Sequence, residues 1–386
     1  MNFNSPQKIL ITHALYAENI LTEELASLGY KVTGRDRLNV AMTGSLKDSI
    51  RLNLQLRTAH RVLYHLFAFR ADNLEVLYRK IKGYQWNEVI PDNGYFSINS
   101  YCNQKNIRDN RIVNLKAKDG IADHFMTHIG HRPDSGKENN QLVLFIHWAN
   151  DICSVYIDTS GESIARHGYR LHGWKAPLSE ALAASIIFST KWDSEGPFIN
   201  PMCGSGTLAI EAALIASNRH PGLYRRNYSF MHIIGFEAEY YDEIKRDLTK
   251  ELSGGKPPQI IATDIHAGAL RMAKMNAEKA GVQDLIWFSR CGFQDTPIIE
   301  EKGVIVMNPE YGERMGDVDR LKIIYKEMGD FFKNRCQGNI GYVFSGNPEL
   351  AKSVGLRTKR KIPFLNGKIE CRLLEYELYG GTKKIK

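Results

Sequence analysis

The stretch NPMCGSGTLAIEAALIA, residues 200–216, decides the fold of the C-terminal half of this chain. Gly204 and Gly206 form a compact glycine turn, and an apolar run with the composition of a helix follows directly. A short apolar segment, GPFIN, precedes the turn and is typical of a strand. Strand, glycine turn and helix in this order leave three interpretations open: a phosphate-binding loop, a loop for a nucleotide cofactor, or a turn with only a structural role.

The sequence after this turn alternates between apolar strands and helical patterns. Two helical patterns stand out, at 268–280 and 320–335. The predicted strands are 259–265, 285–291, 303–309 and 339–346. Apolar strands that alternate with helices indicate a parallel sheet covered on both faces. We therefore expect a doubly wound α/β domain with its ligand at the carboxyl ends of the strands.

Two further features narrow the interpretation of the glycine turn. No lysine follows Gly206, which argues against a phosphate-binding loop of the nucleotide hydrolase type. Asp264 ends the next predicted strand, where a carboxylate can accept hydrogen bonds from ribose hydroxyls. The segment NPEYGER, 308–314, ends another strand at the same edge of the sheet. A nucleoside cofactor whose reactive group points toward Asn308 accounts for all three features, whereas a dehydrogenase leaves NPEYGER without a role.

The first 165 residues have a different pattern. Strands are expected at 8–14, 95–102, 141–151 and 152–160, and helices at 17–30, around 49–61 and at 114–130. Strands and helices mixed in this way predict an α+β region.

Composition excludes some classes of protein. No run of 18 apolar residues indicates a membrane span, and the first residues lack the apolar core of a signal peptide, so we expect a cytoplasmic protein. Six isolated cysteines without zinc-like spacing predict reduced thiols and no metal site. The net charge is +8, with ten Lys or Arg against four acidic residues in 349–386. This excess fits a solvated tail or a phosphate-contacting patch equally well.

Four segments, taken together, resemble the THUMP-domain class I methyltransferases. They are GESIARHGYRLHGWKAPLSEALAASII (161–187), PMCGSGTLAIEAALIA (201–216), NPEYGER (308–314) and PFLNGKIECRLLEYEL (363–378). KDGIADHF (118–125) and VYIDTSGESI (155–164) look like the THUMP region of this family. The match covers nearly the whole chain. It is most similar to bacterial enzymes that methylate the exocyclic N2 of a guanine in 23S ribosomal RNA.

The resemblance implies an architecture and a set of partners. A Rossmann-like methyltransferase domain with a mostly parallel seven-stranded sheet would occupy 166–386, after a ferredoxin-like module at 1–65 and a THUMP RNA-binding domain at 66–165. It also implies S-adenosylmethionine as the cofactor, ribosomal RNA as the substrate, and a monomer that uses neither a metal nor a membrane.

The family's functional residues carry over to matching positions of this sequence. Those that would contact the methionine part and the ribose of the cofactor are Asn200, Cys203, Gly204, Ser205, Gly206 and Asp264. The resemblance places Ile265 beside the adenine and assigns an entry loop that closes over the cofactor to Ala176 and Pro177. The catalytic loop would be Asn308, Pro309 and Tyr311.

Three positions depart from the family pattern. Asn200 stands where an aspartate is usual, which removes a charge near the methionine ammonium. Cys291 lies near the usual position of an aspartate that contacts the adenine amine, and Asp295 is the candidate to replace it. Glu310 replaces the second proline of the catalytic loop; it would face solvent or take up the released proton.

Two other functions remain open on the sequence alone. Relatives with the same layout methylate guanine N2 in transfer RNA. The three departures also suit a non-catalytic RNA-binding assembly factor, which would not bind the cofactor.

Overall fold

The computed structural model describes residues 4–104, 107, 109–171, 173, 177–250, 258–311 and 315–380. The chain forms two compact units. One comprises Met1–His13, Leu21–Ile164 and Arg225–Asp247, and the other Ala14–Ile20, Ala165–Tyr224 and Leu248–Lys386. The first unit thus includes a segment from the C-terminal half of the sequence. Of the helices in the described part of the chain, none has the length and apolar character needed to cross a membrane.

The first unit is built on an eight-stranded sheet in the order β2-β3-β1-β4-β8-β7-β5-β6. Its strands are β1 (Gln7–His13), β2 (Val32–Asp36), β3 (Asn39–Gly44), β4 (Ala59–Arg70), β5 (Tyr95–Asn103), β6 (Asp134–Gly136), β7 (Leu142–Ala149) and β8 (Ile152–Asp158). Its helices are α1 (Glu18–Ser27), α2 (Leu46–Gln55), α3 (Leu74–Lys82) and α4 (Asn110–His128). The twelve-residue β4 pairs antiparallel with both β1 and β8, and so joins the two halves of this sheet.

The predicted helix around 49–61 is wrong at its end. Helix α2 begins after Ser45, which forms a capping box with Asp48, and it ends at Gln55. Strand β4 then starts at Ala59. The apolar residues of this segment fit either pattern locally. Pairing with β1 and β8 selects the strand, which is a tertiary effect that helix periodicity does not report.

The second unit contains a seven-stranded sheet in the order β11-β10-β9-β12-β13-β15-β14. Its strands are β9 (Phe198–Pro201), β10 (Ile260–Asp264), β11 (Ile286–Arg290), β12 (Val304–Met307), β13 (Ile340–Ser345), β14 (Arg360–Asn366) and β15 (Ile369–Glu377). The first five strands of this order are parallel, and β15 is antiparallel to both its neighbours. The expected mostly parallel sheet is confirmed.

Helices cover both faces of this sheet. They are α5 (Glu180–Phe188), α6 (Thr207–Ala216), α8 (Ala267–Lys279), α9 (Met315–Arg335) and α10 (Pro348–Ser353), while α7 (Ala238–Lys250) lies largely in the first unit. Strand β9 shows the two-sided packing: Phe198 joins the core with α5, α6 and α8, and Ile199 joins the core with α9 and α10. After β9 the chain enters α6 on one face of the sheet, and after β12 it enters α9 on the other face. The carboxyl ends of these adjacent strands therefore form the crevice where ligands bind in such sheets.

Candidate active site

The glycine turn after β9 is left-handed at three positions. Met202, Gly204 and Gly206 have φ of 57°, 57° and 82°. A Cβ on Gly206 would lie 2.9 Å from the Cβ of Ala273, so this glycine is needed both for its conformation and for packing against α8. A Cβ on Gly204 would meet nothing within 4 Å. The backbone at Gly204 therefore faces open space that a ligand can occupy.

Asp264 fixes this glycine turn to the end of β10. Its Oδ2 accepts a hydrogen bond from the backbone N–H of Gly204 at 3.0 Å, and its Oδ1 accepts one from His266 at 2.9 Å. The side chain is buried, and each oxygen keeps a second lone pair for another donor. Burial, followed by the nearby charges of Asp264 and Cys291, raises the pKa of the Cys203 thiol, so this cysteine is neutral beside the carboxylate.

The side chain of Asn276 on α8 forms hydrogen bonds with the glycine turn and with Leu171. Its Nδ2 donates to the carbonyl of Ser205 at 3.2 Å, and its Oδ1 accepts from the N–H of Leu171 at 2.9 Å. Arg170, beside Leu171, donates to Thr207 Oγ1 at 3.2 Å at the start of α6. The segment ahead of the predicted entry loop is thus tied to the helix end of the turn.

Asn200 links β9 to β12 across the crevice. It is 1% exposed, and its Nδ2 donates to the carbonyl of Val306 at 2.8 Å. In the part of the chain that the structure describes, its buried Oδ1 has no hydrogen-bond partner. A buried acceptor that is left unpaired is costly, which makes this oxygen a candidate to bind a ligand's donor.

A second unpaired amide oxygen belongs to Asn308, which follows the last residue of β12. The Oδ1 of Asn308 is buried and has no hydrogen-bond partner among the described residues, and Pro309 beside it is buried. The next residue, Glu310, points its carboxylate outward: the side chain is 58% exposed and lies 3.6 Å from Arg320. The carbonyl of Glu310 accepts a hydrogen bond from Tyr325 Oη on α9 at 3.3 Å.

Tyr311 completes this loop and is half-buried. Its hydroxyl accepts a hydrogen bond from Asn366 Nδ2 at 2.8 Å and lies close to the thiol of Cys371. Its ring meets Phe344 edge-on, with the centroids 6.4 Å apart. Burial is the main cause that raises the pKa of Tyr311 to about 12.

The remaining candidates have fewer contacts with the loops. Ile265 follows Asp264 and is 61% exposed. Asp295 is exposed on a short helical turn after β11, and Cys291 nearby is half-buried. Pro177 lies just before α5, while Ala176 falls outside the described residues. The structure thus brings together the glycine turn, Asp264, Asn200 and the loop at 308–311.

Sequence reasoning did not single out Asn276, Tyr325 or Asn366. For Asn276 a signal existed, because a polar residue occupies the buried face of α8 otherwise formed by Ala269, Leu270, Ala273 and Ala277. A polar side chain at such a position must find partners, and here they are the glycine turn and Leu171. No cluster of three or more His, Cys, Asp or Glu side chains suited to a metal ion occurs in the portion described.

Family models match three successive parts of the chain. A model described as an RMKL-like methyltransferase domain matches residues 167–375, which is more than half of the chain. The chain belongs to this methyltransferase family. A model of the RlmL ferredoxin-like domain matches residues 8–63, and a THUMP domain model matches 71–158.

Named relatives extend over nearly the whole sequence. A protein of Syntrophotalea carbinolica, "Ribosomal RNA large subunit methyltransferase K/L", is 34% identical over 97% of this chain and 54% of its own length. This chain spans about half the length of the K/L relatives it matches. A Synechocystis protein named "Putative RNA methyltransferase slr0064" is 30% identical, over 94% of both chains.

A solved structure agrees with the architecture. The structure titled "a predicted N6-adenine-specific DNA methylase" from Listeria monocytogenes aligns with a TM-score of 0.87 at 29% identity, and it covers 98% of this chain and 97% of its own. The family models and this alignment confirm the resemblance and the fold class inferred from the sequence.

Proposed function

We propose that this chain transfers a methyl group from S-adenosylmethionine to the exocyclic N2 amine of a guanine in 23S ribosomal RNA. The observation that carries the proposal is the buried, unpaired Oδ1 of Asn308 at the carboxyl end of β12. The name of the Syntrophotalea relative supports the large-subunit RNA, although this chain corresponds to only about half of that protein. Membership of a methyltransferase family supports the reaction.

The residues around the glycine turn fit S-adenosylmethionine. Asn200 offers an unpaired buried oxygen to the methionine ammonium, and open space lies beside Gly204. Asp264 retains lone pairs for the two ribose hydroxyls, and the exposed Ile265 offers an apolar surface to the adenine. When bound, the cofactor supplies an electrophilic methyl group on a sulfonium.

Residues of the catalytic loop activate the guanine N2 amine, which is the nucleophile of the reaction. The lone pair of the guanine N2 is delocalised into the ring, so the amine is a poor nucleophile in its planar form. Asn308 Oδ1 and the carbonyl of Pro309 accept hydrogen bonds from the two N–H groups. These bonds favour a tetrahedral nitrogen, restore the lone pair for bond formation, and hold the amine in line with the methyl group.

The target base has to leave its stack to reach this loop, as in other enzymes that act on a base. Tyr311 is half-buried and stacks on the extruded base through the part of its ring that remains accessible. Stacking of a base on an aromatic side chain contributes roughly 1–3 kcal/mol. The part of the chain that matches the THUMP model, residues 71–158, binds the surrounding RNA by shape and phosphate contacts.

The decisive experiment is methyl transfer in vitro followed by nucleoside mass spectrometry. The purified chain is incubated with labelled S-adenosylmethionine and with 23S RNA, small-subunit RNA or transfer RNA, each from unmodified transcripts. We expect N2-methylguanosine in the 23S RNA. Label confined to transfer RNA would favour that alternative substrate, and N6-methyladenosine would overturn the choice of base.

Calorimetry separates an inactive preparation from a non-catalytic protein. We expect S-adenosylmethionine to bind the purified chain. Absence of both binding and methyl transfer would refute the proposal and favour an RNA-binding assembly factor.

A further inference from the structure

The segment PFLNGKIECRLLEYEL, residues 363–378, contacts Tyr311 in the site, but the proposed function gives it no task. It forms the hairpin of β14 and β15, in which Asn366 pairs with Ile369 around a two-residue turn. The turn residues, Gly367 and Lys368, are exposed, and Gly367 has a φ of 62°. The hairpin lies at the edge of the sheet, two strands from β12 in the order of the sheet.

This hairpin contacts the catalytic loop at the side chain of Tyr311. Asn366, the last residue of β14, donates from Nδ2 to Tyr311 Oη at 2.8 Å. The thiol of Cys371 on β15 lies close to the same hydroxyl. Because Asn366 is the donor in its bond with Tyr311, the hydroxyl keeps its own hydrogen to donate.

Close packing brings the hairpin to this position. A Cβ on Gly346 would lie 2.7 Å from Ile369 Cγ2, 3.2 Å from Cys371 Sγ and 3.2 Å from Tyr311 Cδ2. Gly346 directly follows β13. Because it has no side chain, it leaves room for both the hairpin and the Tyr311 ring. The ring edge of Phe344 limits Tyr311 on another side.

We propose that Asn366 is a positioning residue for methyl transfer, because it fixes the Tyr311 ring in the orientation that stacks on the target base. This inference rests on the proposed function. It assigns a specific task to the tyrosine hydroxyl: a phenylalanine offers the same stacking surface but cannot be held by Asn366. It also makes the β14–β15 hairpin part of the target-base site.

A double-mutant cycle on the full chain tests the inference. Asn366→Ala, Tyr311→Phe and the double variant are compared with the wild type in methyl transfer to 23S RNA. One lost hydrogen bond predicts that Asn366→Ala lowers kcat roughly tenfold. Because both single changes break the same contact, the double variant should be no slower than Tyr311→Phe. Pro363→Ala, an exposed and uncharged change on the same strand, is the matched control and should retain wild-type rates.

Two further readouts distinguish positioning from a general loss of structure. The dissociation constant for S-adenosylmethionine should stay the same in all variants, since the side-chain hydrogen bond of Asn366 is to Tyr311 on the catalytic loop. Fluorotyrosine placed at position 311 should change its ¹⁹F resonance in Asn366→Ala but not in Pro363→Ala. Tyr311→Phe leaves the hairpin sequence intact, so the hydroxyl remains testable if Asn366→Ala fails to fold.

The outcomes separate the two proposals. Absence of methyl transfer by the wild type contradicts the proposed function, and the ¹⁹F resonance then still reports whether Asn366 orients Tyr311. An unchanged resonance, or losses of kcat that multiply in the double variant, overturns the positioning role. A loss of S-adenosylmethionine affinity in Asn366→Ala that is as large as its loss of kcat overturns it as well.

Discussion

The glycine turn at 200–206 and the catalytic loop at 308–311 follow adjacent parallel strands, and each contains a buried asparagine oxygen without a partner. They are held in different ways. The glycine turn is fixed through its own backbone groups, which bond to each other, to Thr263 and to two side chains: Gly204 donates to Asp264, Gly206 to Cys203, Cys203 to Thr263, and Ser205 accepts from Asn276. The catalytic loop is fixed by side chains from later elements, namely Tyr325 and Asn366.

This difference suggests a division of labour between the two loops. Backbone donors and acceptors are common to every residue type, so the turn needs glycines and one carboxylate to form a cofactor site. Side chains can be exchanged without rebuilding the sheet, so the catalytic loop can be adapted to its target base. Changes in the turn should therefore alter cofactor affinity, and changes in the loop should alter the rate at saturating cofactor.

The largest expected effect is on the rate in Asn308→Ala. Removing an acceptor that acts in the transition state should lower kcat by about 10²–10³, as for comparable single contacts in other enzymes. Cofactor affinity, measured by calorimetry, should hardly change. Asn308→Asp retains an acceptor oxygen and is the matched control, with a smaller loss. A large rise in the cofactor dissociation constant of Asn308→Ala would contradict the assignment of cofactor binding to the turn and of the rate to the loop.

The second prediction concerns stability and uses the two glycines as a pair. Gly206→Ala places a Cβ 2.9 Å from Ala273 at a φ of 82°, so left-handed strain and overpacking add. We expect a loss of about 2–4 kcal/mol in the free energy of unfolding. Gly204→Ala has only the strain of its φ of 57°, about 1–2 kcal/mol. Denaturant unfolding measures both, and equal losses would contradict the packing role given to Gly206.

The sequence predicted the surroundings of the glycine turn more fully than those of the catalytic loop. The first depend on local signals, whereas the second depend on contacts between residues far apart in the chain. The glycine spacing, Asp264 and the order of strands are local signals, and they predicted the parallel sheet. The contact of Asn366 with Tyr311 joins residues 55 positions apart, and no local pattern reports it. In the first unit, pairing of β4 with β1 and β8 likewise replaced the end of a predicted helix with a strand.

The third prediction is the opposite of the first, because the change should weaken cofactor binding and leave kcat nearly unchanged. Asn200→Ala removes the unpaired Oδ1 offered to the methionine ammonium and also the donor to Val306. A hydrogen bond to a charged group predicts a rise of about tenfold or more in the cofactor dissociation constant. At saturating cofactor, kcat should stay within about twofold of the wild type, since the target amine is not involved. A loss confined to kcat would place Asn200 on the catalytic side instead.

The smallest expected effect is the alkaline response of Tyr311. Burial raises its pKa to about 12 from the ordinary value of 10.0, so the folded state favours the neutral phenol. The resulting stabilisation is complete below about pH 10 and is lost as the pH rises through about 12. Methyl transfer should therefore show no Tyr311-dependent decline below about pH 10, whereas the free energy of unfolding should fall more steeply above it in the wild type than in Tyr311→Phe. Parallel unfolding curves for the two proteins between pH 10 and 12 would show that the Tyr311 hydroxyl is not shielded from solvent in the folded state, and would contradict its burial beside the hairpin.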